Sequence, residues 1–289
     1  MQKQRARVKE VLDKLFEKYS KQKYIDSDPV KYIHRYKEKC DVEIAAFIAS
    51  SFAFGRVEQI NEAIERILRP MGENPYEFVK GFCPGEYTKR YKGFKYRFIK
   101  DKDLNVFLQL AALMLRQSES IEKFFLEGYK KGKGLKEALN SFVKRVFELA
   151  TSFKVFQDIE KKRAVKFLFS TPESDSPRKR LNLFLRWMVR RDEVDVGIWR
   201  KVMRSDLIIP LDTHIAKVSR WIGLTRLKSP RWAMAETITE SLREFDRDDP
   251  VKYDFALTRP GIINGCTGGK SPCNKCDLEE ICSARSRKI

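Results

Sequence analysis

Apolar residues recur along this chain at intervals of three and four positions, and nowhere in sustained alternation, so the pattern predicts helices nearly throughout. Leu12, Leu15 and Phe16 form a first stripe, and Ile44, Phe47, Ile48 and Phe52 a second. Ile60, Ile64, Ile67 and Leu68 continue the pattern, and Pro70 with Gly72 stops that helix. Residues 104–117 are apolar on most sides and read as a central buried helix. Segments 121–129, 135–149 and 164–169 read as further helices, and Leu181, Phe184, Leu185 and Met188 form one more stripe. Ser229 before Pro230 and Asp249 before Pro250 each set a capping side chain ahead of a first-turn proline, which predicts two helix starts. There is no internal repeat and no low-complexity linker, so a flexible hinge is not expected.

The 289 residues are 42 % hydrophobic, enough for a full core in one large domain or two lobes. The longest apolar-rich stretches, 44–54 and 106–115, are shorter than a membrane span and carry polar residues, so no membrane partner is expected. Residues 1–14 are charged and lack the apolar run of a signal peptide, which predicts a cytoplasmic protein in a reducing compartment. The formal net charge of +19 repels itself and calls for a polyanionic partner, with nucleic acid the expected one.

Residues 80–100 stand out within this charge. They carry seven Lys or Arg against one acid, Glu86, with six aromatics interleaved: Phe82, Tyr87, Tyr91, Phe94, Tyr96 and Phe98. Cations can track phosphates while flat rings stack on bases. The plainer reading is a long loop whose aromatics cover the core and whose cations face water, and the pattern favours it.

Cys266, Cys273, Cys276 and Cys282 fall within 17 residues, spaced C-x6-C-x2-C-x5-C. The residues between them suit a tight loop, so one segment wraps one small object. Soft thiolate sets select zinc or an iron–sulfur cluster. Closed four-cysteine zinc sites usually pair two C-x2-C knuckles, and only one is present, so the spacing favours a [4Fe–4S] cluster over zinc. A reducing compartment disfavours disulfides. Cys40 and Cys83 read as ordinary thiols.

In the stretch 208–222, Pro210 blocks helix continuation and Asp212 sits at a predicted N-cap, with Ile215, Val218 and Ile222 behind it. Taken alone, this is a structural cap. Together with the cysteines it means more. Leu211-Asp212-Thr213-His214-Ile215, ahead of C-x6-C-x2-C-x5-C in this order and at this separation, resembles the endonuclease III branch of the helix-hairpin-helix DNA glycosylases. The clear likeness covers roughly 208–283, and a weaker one covers 43–67. The whole chain looks most like a prokaryotic offshoot of that superfamily and not endonuclease III itself. The family's hairpin normally reads L-P-G-x-G and grips a phosphate through backbone N–H groups. Here the corresponding place is a polar turn at 170–177 without glycine, followed by Arg178, Lys179 and Arg180. Lys179 lies 33 residues before Asp212, a gap resembling the archaeal 8-oxoguanine glycosylase branch.

The resemblance implies an all-α, two-lobed fold: a helical barrel lobe at 41–208 with the atypical hairpin, and a second lobe of 1–40 plus 209–289 carrying Asp212 and the cluster. It implies base excision from double-stranded DNA by a monomer associated with the nucleoid. Asp212 would stabilise the oxocarbenium-like sugar, and Lys179 would attack C1′ to give a Schiff base and AP lyase activity. The expected substrate is 8-oxoguanine, with oxidised pyrimidine second. Cys266, Cys273, Cys276 and Cys282 would hold the [4Fe–4S] cluster, and Arg178, Arg180, Lys270, Lys275 and Arg285 would contact DNA. His214 is expected to contact backbone, phosphate or the cluster lobe and not to catalyse, and Trp187, Trp199 and Trp221 to be core. The competing readings are a non-catalytic iron–sulfur protein that binds DNA or RNA, favoured by the missing hairpin glycines, and an RNA-directed role.

Overall fold

Small residues on one helix decide where the core sits. The computed structural model describes residues 2–83, 88–130, 133–153, 159–171, 173–266 and 273–284. Helices α1 (Gln2–Tyr19), α2 (Lys39–Ser51), α3 (Val57–Leu68) and α4 (Pro75–Lys80) lead into a two-stranded antiparallel hairpin, β1 (Lys95–Tyr96) and β2 (Ile99–Lys100). Helices α5 (Asp101–Ser118), α6 (Ile121–Leu126), α7 (Leu135–Ser152), α8 (Ile159–Phe169) and α9 (Lys179–Val189) follow. The chain ends with α10 (Thr213–Trp221), α11 (Trp232–Arg243) and α12 (Asp254–Asn264). The fold class is therefore mainly α-helical, as the periodicity predicts. No helix among the described residues is long and apolar enough to cross a membrane.

Every residue of α2 from Asp41 to Ser51 is buried. Ala45, Ala46, Ala49, Ser50 and Ser51 let neighbouring backbones come close, and Phe47 fills the space between them. Its ring lies 5.3 Å from Phe107 of α5 and 5.4 Å from Phe184 of α9, centroid to centroid, and these ring pairs add to the area they bury. Glu43 is 4 % exposed and would be costly there unpaired. It accepts from the Ile121 and Glu122 N–H groups at the start of α6 and from Trp199 Nε1 at 2.8 Å. Burial pushes its carboxyl up to about 6.

Helix α1 packs against α12, far along the chain. Tyr253 Oη donates to Asp13, and Arg5 reaches Ser241 and Glu244 of the C-terminal part. Arg259 on α12 is fully buried and donates to Asp28 Oδ2 at 2.8 Å and to the Tyr24 carbonyl.

Two predicted helix starts fall elsewhere. The N-cap of α11 is Arg231, two residues after Ser229. Helix α12 begins at Asp254, after a turn, because the Asp249 carboxylate is taken by Arg190 Nε at 2.8 and 3.0 Å instead of capping a helix. The aromatics of 80–100 that are described turn mostly inward: Phe82, Tyr91, Phe94 and Tyr96 are 5 % exposed or less, and Phe98 is not. Helix α5 ends in a left-handed residue, Glu119 (φ 64°), which is exposed. Glycine occupies that region without the Cβ penalty, and the exposed Lys123 pair lost is worth little. Glu119→Gly is therefore expected to stabilise the fold by about 0.5–1 kcal/mol in urea unfolding, and a loss of stability would contradict the assigned conformation.

Candidate active site

Asp212 is the N-cap of α10, as its place after Pro210 predicts. Its Oδ1 accepts the His214 and Ile215 N–H groups at 2.9 and 2.8 Å, so the positive end of the helix faces the carboxylate. Oδ2 has no donor among the described residues. The carboxylate lines a cleft of roughly 480 Å³ to which several parts of the chain contribute: Asp28 and Pro29, the segment from Ala53 to Gly55 after α2, the start of α3, α9, the N-terminus of α10 and one face of α12 with Cys266 beyond it.

Lys179, the second residue expected from the sequence, lines the same cleft. It is the first residue of α9, and its Nζ donates to the Ala53 carbonyl at 2.8 Å, which holds the amine at the wall between α2 and α9. Two further groups in the cleft are absent from the sequence reading: Arg186, about two turns along α9 from Lys179, and Asp254 on α12. Both are 2 % exposed and ion-paired with each other. Arg186 shares a helix face with Lys179 and Asn182, so the sequence allows either a polar stripe or a buried cation, and only the structure shows burial. Nothing local marks Asp254.

Burial pushes the Asp254 carboxyl up to about 6 against the pull of Arg186, and the charge of Asp212 adds to the rise while Lys179 opposes it. Its Oδ1 is buried with no hydrogen-bond partner. A carboxyl raised above its unfolded value near 4 binds protons more tightly in the folded state. The stability it contributes is present below about pH 4 and is lost as pH rises through about 6. Wild-type Tm is expected to carry this downward component between pH 4 and 6, and Asp254→Asn to lack it; parallel Tm–pH curves would contradict the raised value.

His214 also lines the cleft and reaches α12, where its Nε2 lies 3.3 Å from the Leu257 carbonyl, and burial lowers its basicity. Gly261 makes room for the ring, since a Cβ there would meet His214 Cε1 at 2.4 Å. Trp187 and Trp199 are core, and Trp221 is half-buried.

The turn from α8 to α9 has no glycine, yet it uses the left-handed region at both ends, at Ser170 (φ 62°) and Arg178 (φ 46°). Three of its N–H groups are engaged internally: Ser174 donates to the Thr171 carbonyl, Ser176 to Ser174 Oγ and Arg178 to Ser176 Oγ. Arg178 is 4 % exposed and donates to the Thr171 carbonyl; a guanidinium so placed holds the turn and does not reach a phosphate. Arg180 donates to the Phe167 carbonyl and lies over the Phe167 ring, and burial lowers its pKa to about 10.

Cys266 follows directly on α12 and lines the cleft, its N–H donating to the Pro260 carbonyl. The segment 273–284 is fastened to α1: Asp277 accepts from Lys18 and from Tyr19 Oη at 2.6 and 2.7 Å, and Glu280 from Arg7. All six cysteines are free thiols. Burial raises the pKa of Cys276, and Cys266 and Cys282 add to the rise, so these three lie within electrostatic reach. The donor set fits a soft metal or cluster by its chemistry, although among the described residues no group of three or more His, Cys, Asp or Glu is set close enough to hold a metal ion. Lys275 is exposed; Lys270 and Arg285 lie outside the described residues.

A family model described as "Protein of unknown function (DUF2400)" matches residues 28–263. No curated protein and no solved structure matches the chain.

Proposed function

We propose that this chain, which belongs to the DUF2400 family, is a DNA glycosylase that excises a damaged base from duplex DNA, with AP lyase activity. One observation carries the reading. Lys179 and Asp212, 33 residues apart, line a single cleft in a chain of charge +19. The pair supplies what base excision needs: an anion facing the sugar cation, and an amine that can form a Schiff base at C1′. The Asp212 carboxylate stabilises positive charge at the sugar as the base departs and takes a proton from the attacking amine. Lys179 must leave the Ala53 carbonyl to attack, a movement of one side chain. Arg186 and Asp254 shape the floor, and Asp254 near pH 6 can exchange a proton with the site.

In this reading the two lobes are 41–208 and 1–40 with 209–289, consistent with the packing of α1 on α12. Cys266, Cys273, Cys276 and Cys282 would hold a [4Fe–4S] cluster, whose part is to shape the loop presenting Lys270, Lys275 and Arg285 to DNA. The turn at 170–178 differs from a phosphate-gripping hairpin in having no glycine, and the N–H groups of Ser174, Ser176 and Arg178 are engaged within it. The cations must then supply most of the grip on the backbone.

The test is incubation with duplexes carrying 8-oxoguanine, thymine glycol, uracil or an abasic site, followed by borohydride. A covalent adduct with a lesion duplex, absent in Lys179→Ala, is expected. Neither adduct nor base release on any of them, with duplex binding retained, would support a non-catalytic binding protein instead.

A further inference from the structure

The β1–β2 hairpin presents an aromatic ring beside the cleft where the core has no use for it. Phe98 is 46 % exposed, while Tyr96 and Ile99 on either side of the tip are buried. The ring is not loose. It lies edge-to-face on Phe167 at 4.4 Å and 6.0 Å from Phe54, centroid to centroid. Phe54 packs on Phe167 in turn at 5.0 Å. Arg180 lies over both of those rings, at 4.3 Å from Phe167 and 5.5 Å from Phe54.

The hairpin is fastened to the cleft wall. Tyr96 Oη donates to the Phe54 carbonyl. Gly55 (φ 115°) lies so close to the tip that a Cβ there would meet Tyr96 Oη at 2.9 Å and Arg97 Nη1 at 3.2 Å. Phe54 and Gly55 line the cleft that holds Asp212 and Lys179, and Ala53, which receives Lys179 Nζ, is their neighbour. At the tip, Arg97 occupies the left-handed region without being glycine (φ 54°), a conformation that costs energy and is kept where the surroundings enforce it. From 88 to 100 the chain carries six cations and no acid, and Lys92, Lys95, Arg97 and Lys100 are exposed.

We infer that Phe98 is a stacking wedge: it enters the base stack beside a flipped nucleotide while the surrounding cations hold the phosphates on either side. An apolar ring inserted at a base step offsets part of the unstacking needed to extrude a base. Phe54 and Phe167 brace it from behind. The occupant is nucleic acid because the exposed side chains around Phe98, Lys92, Lys95, Arg97 and Lys100, are cationic, while the nearby Asp101 and Asp103 are half-buried and bonded to the backbone of Gly93 and Lys100. The inference rests on the chain being an enzyme of duplex DNA.

The experiment uses the full chain and a duplex with a stable tetrahydrofuran abasic analogue beside 2-aminopurine, against the same duplex without the lesion. Wild-type protein is expected to raise 2-aminopurine fluorescence on binding the abasic duplex. Phe98→Ala is expected to lose most of that rise and about 5- to 100-fold in affinity for this duplex, with affinity for the intact duplex changed by less than about threefold. Phe98→Trp is expected to restore both, and an unchanged Tm shows that the hairpin still folds. A full fluorescence rise in Phe98→Ala overturns the wedge and leaves the glycosylase reading standing. Equal loss on both duplexes also overturns it, reducing Phe98 to a general contact. Failure of the wild type to bind either duplex overturns both readings together.

Discussion

Asp212→Asn is expected to lower release of the damaged base by about 100-fold or more while changing duplex affinity by less than about threefold. The substitution separates two roles that one side chain performs. As an N-cap, Asp212 offers Oδ1 to the His214 and Ile215 N–H groups, and an asparagine oxygen accepts the same bonds nearly as well. Helix α10 and the cleft wall should therefore persist, with Tm within a few degrees of wild type. The negative charge facing a developing sugar cation disappears, and that charge is what the chemistry needs. Single-turnover base release under saturating protein measures the effect without interference from binding. Undiminished release would reduce Asp212 to a cap and remove the leading assignment. A large drop in Tm would show that the cap required the charge itself.

Asp195→Ala is expected to destabilise the fold by about 3–5 kcal/mol, the cost of breaking a buried ion pair from one side. Asp195 is fully buried and accepts from two arginines of the α9 region: Arg186 through Nε and Nη2 at 3.3 and 3.1 Å, and Arg190 through Nη1. Each arginine keeps another acid, Asp254 for Arg186 and Asp249 with Asp192 for Arg190. After the substitution three acids remain for two guanidiniums, but donors that pointed at Asp195 are stranded in the core. Urea unfolding should show the midpoint falling at an unchanged slope. A control at an exposed pair, Glu193→Ala beside Lys21, should move the midpoint far less, since water screens that pair. Equal effects for the two variants would mean that the network does not organise α9, and the placement of Arg186 in the cleft would then need another cause.

How much of this was legible beforehand follows the range of each interaction. The helices at 44–52, 60–68 and 181–188 lie where the stripes predict, because a face meeting the core must repeat every three or four residues. Asp212 as a cap is legible for a similar reason, its partners being the next two and three N–H groups. The starts expected at Ser229 and Asp249 fail where a distant residue competes: Arg190, 59 positions away, holds the Asp249 carboxylate. The aromatic run at 80–100 reads alike at every ring, yet four of its rings enter the core and Phe98 stays outside. Phe98 sits in the two-residue turn between the strands, next to the left-handed Arg97, and that turn carries its ring out of the core.

The sequence alone determined the helical class, the grouping of four cysteines in one segment, the strong positive charge and the cap position of Asp212. Each is either a count or a pattern closed within a few residues. The tertiary structure decided that Lys179 and Asp212 share a cleft, that Arg186 and Asp254 join them there, and that Arg178 beside Lys179 is turned into the protein. Those facts depend on which helix faces meet. That choice is made by the summed packing of α2, α9, α10 and α12 around Phe47 and the buried arginines, and no local stretch of the chain contains it.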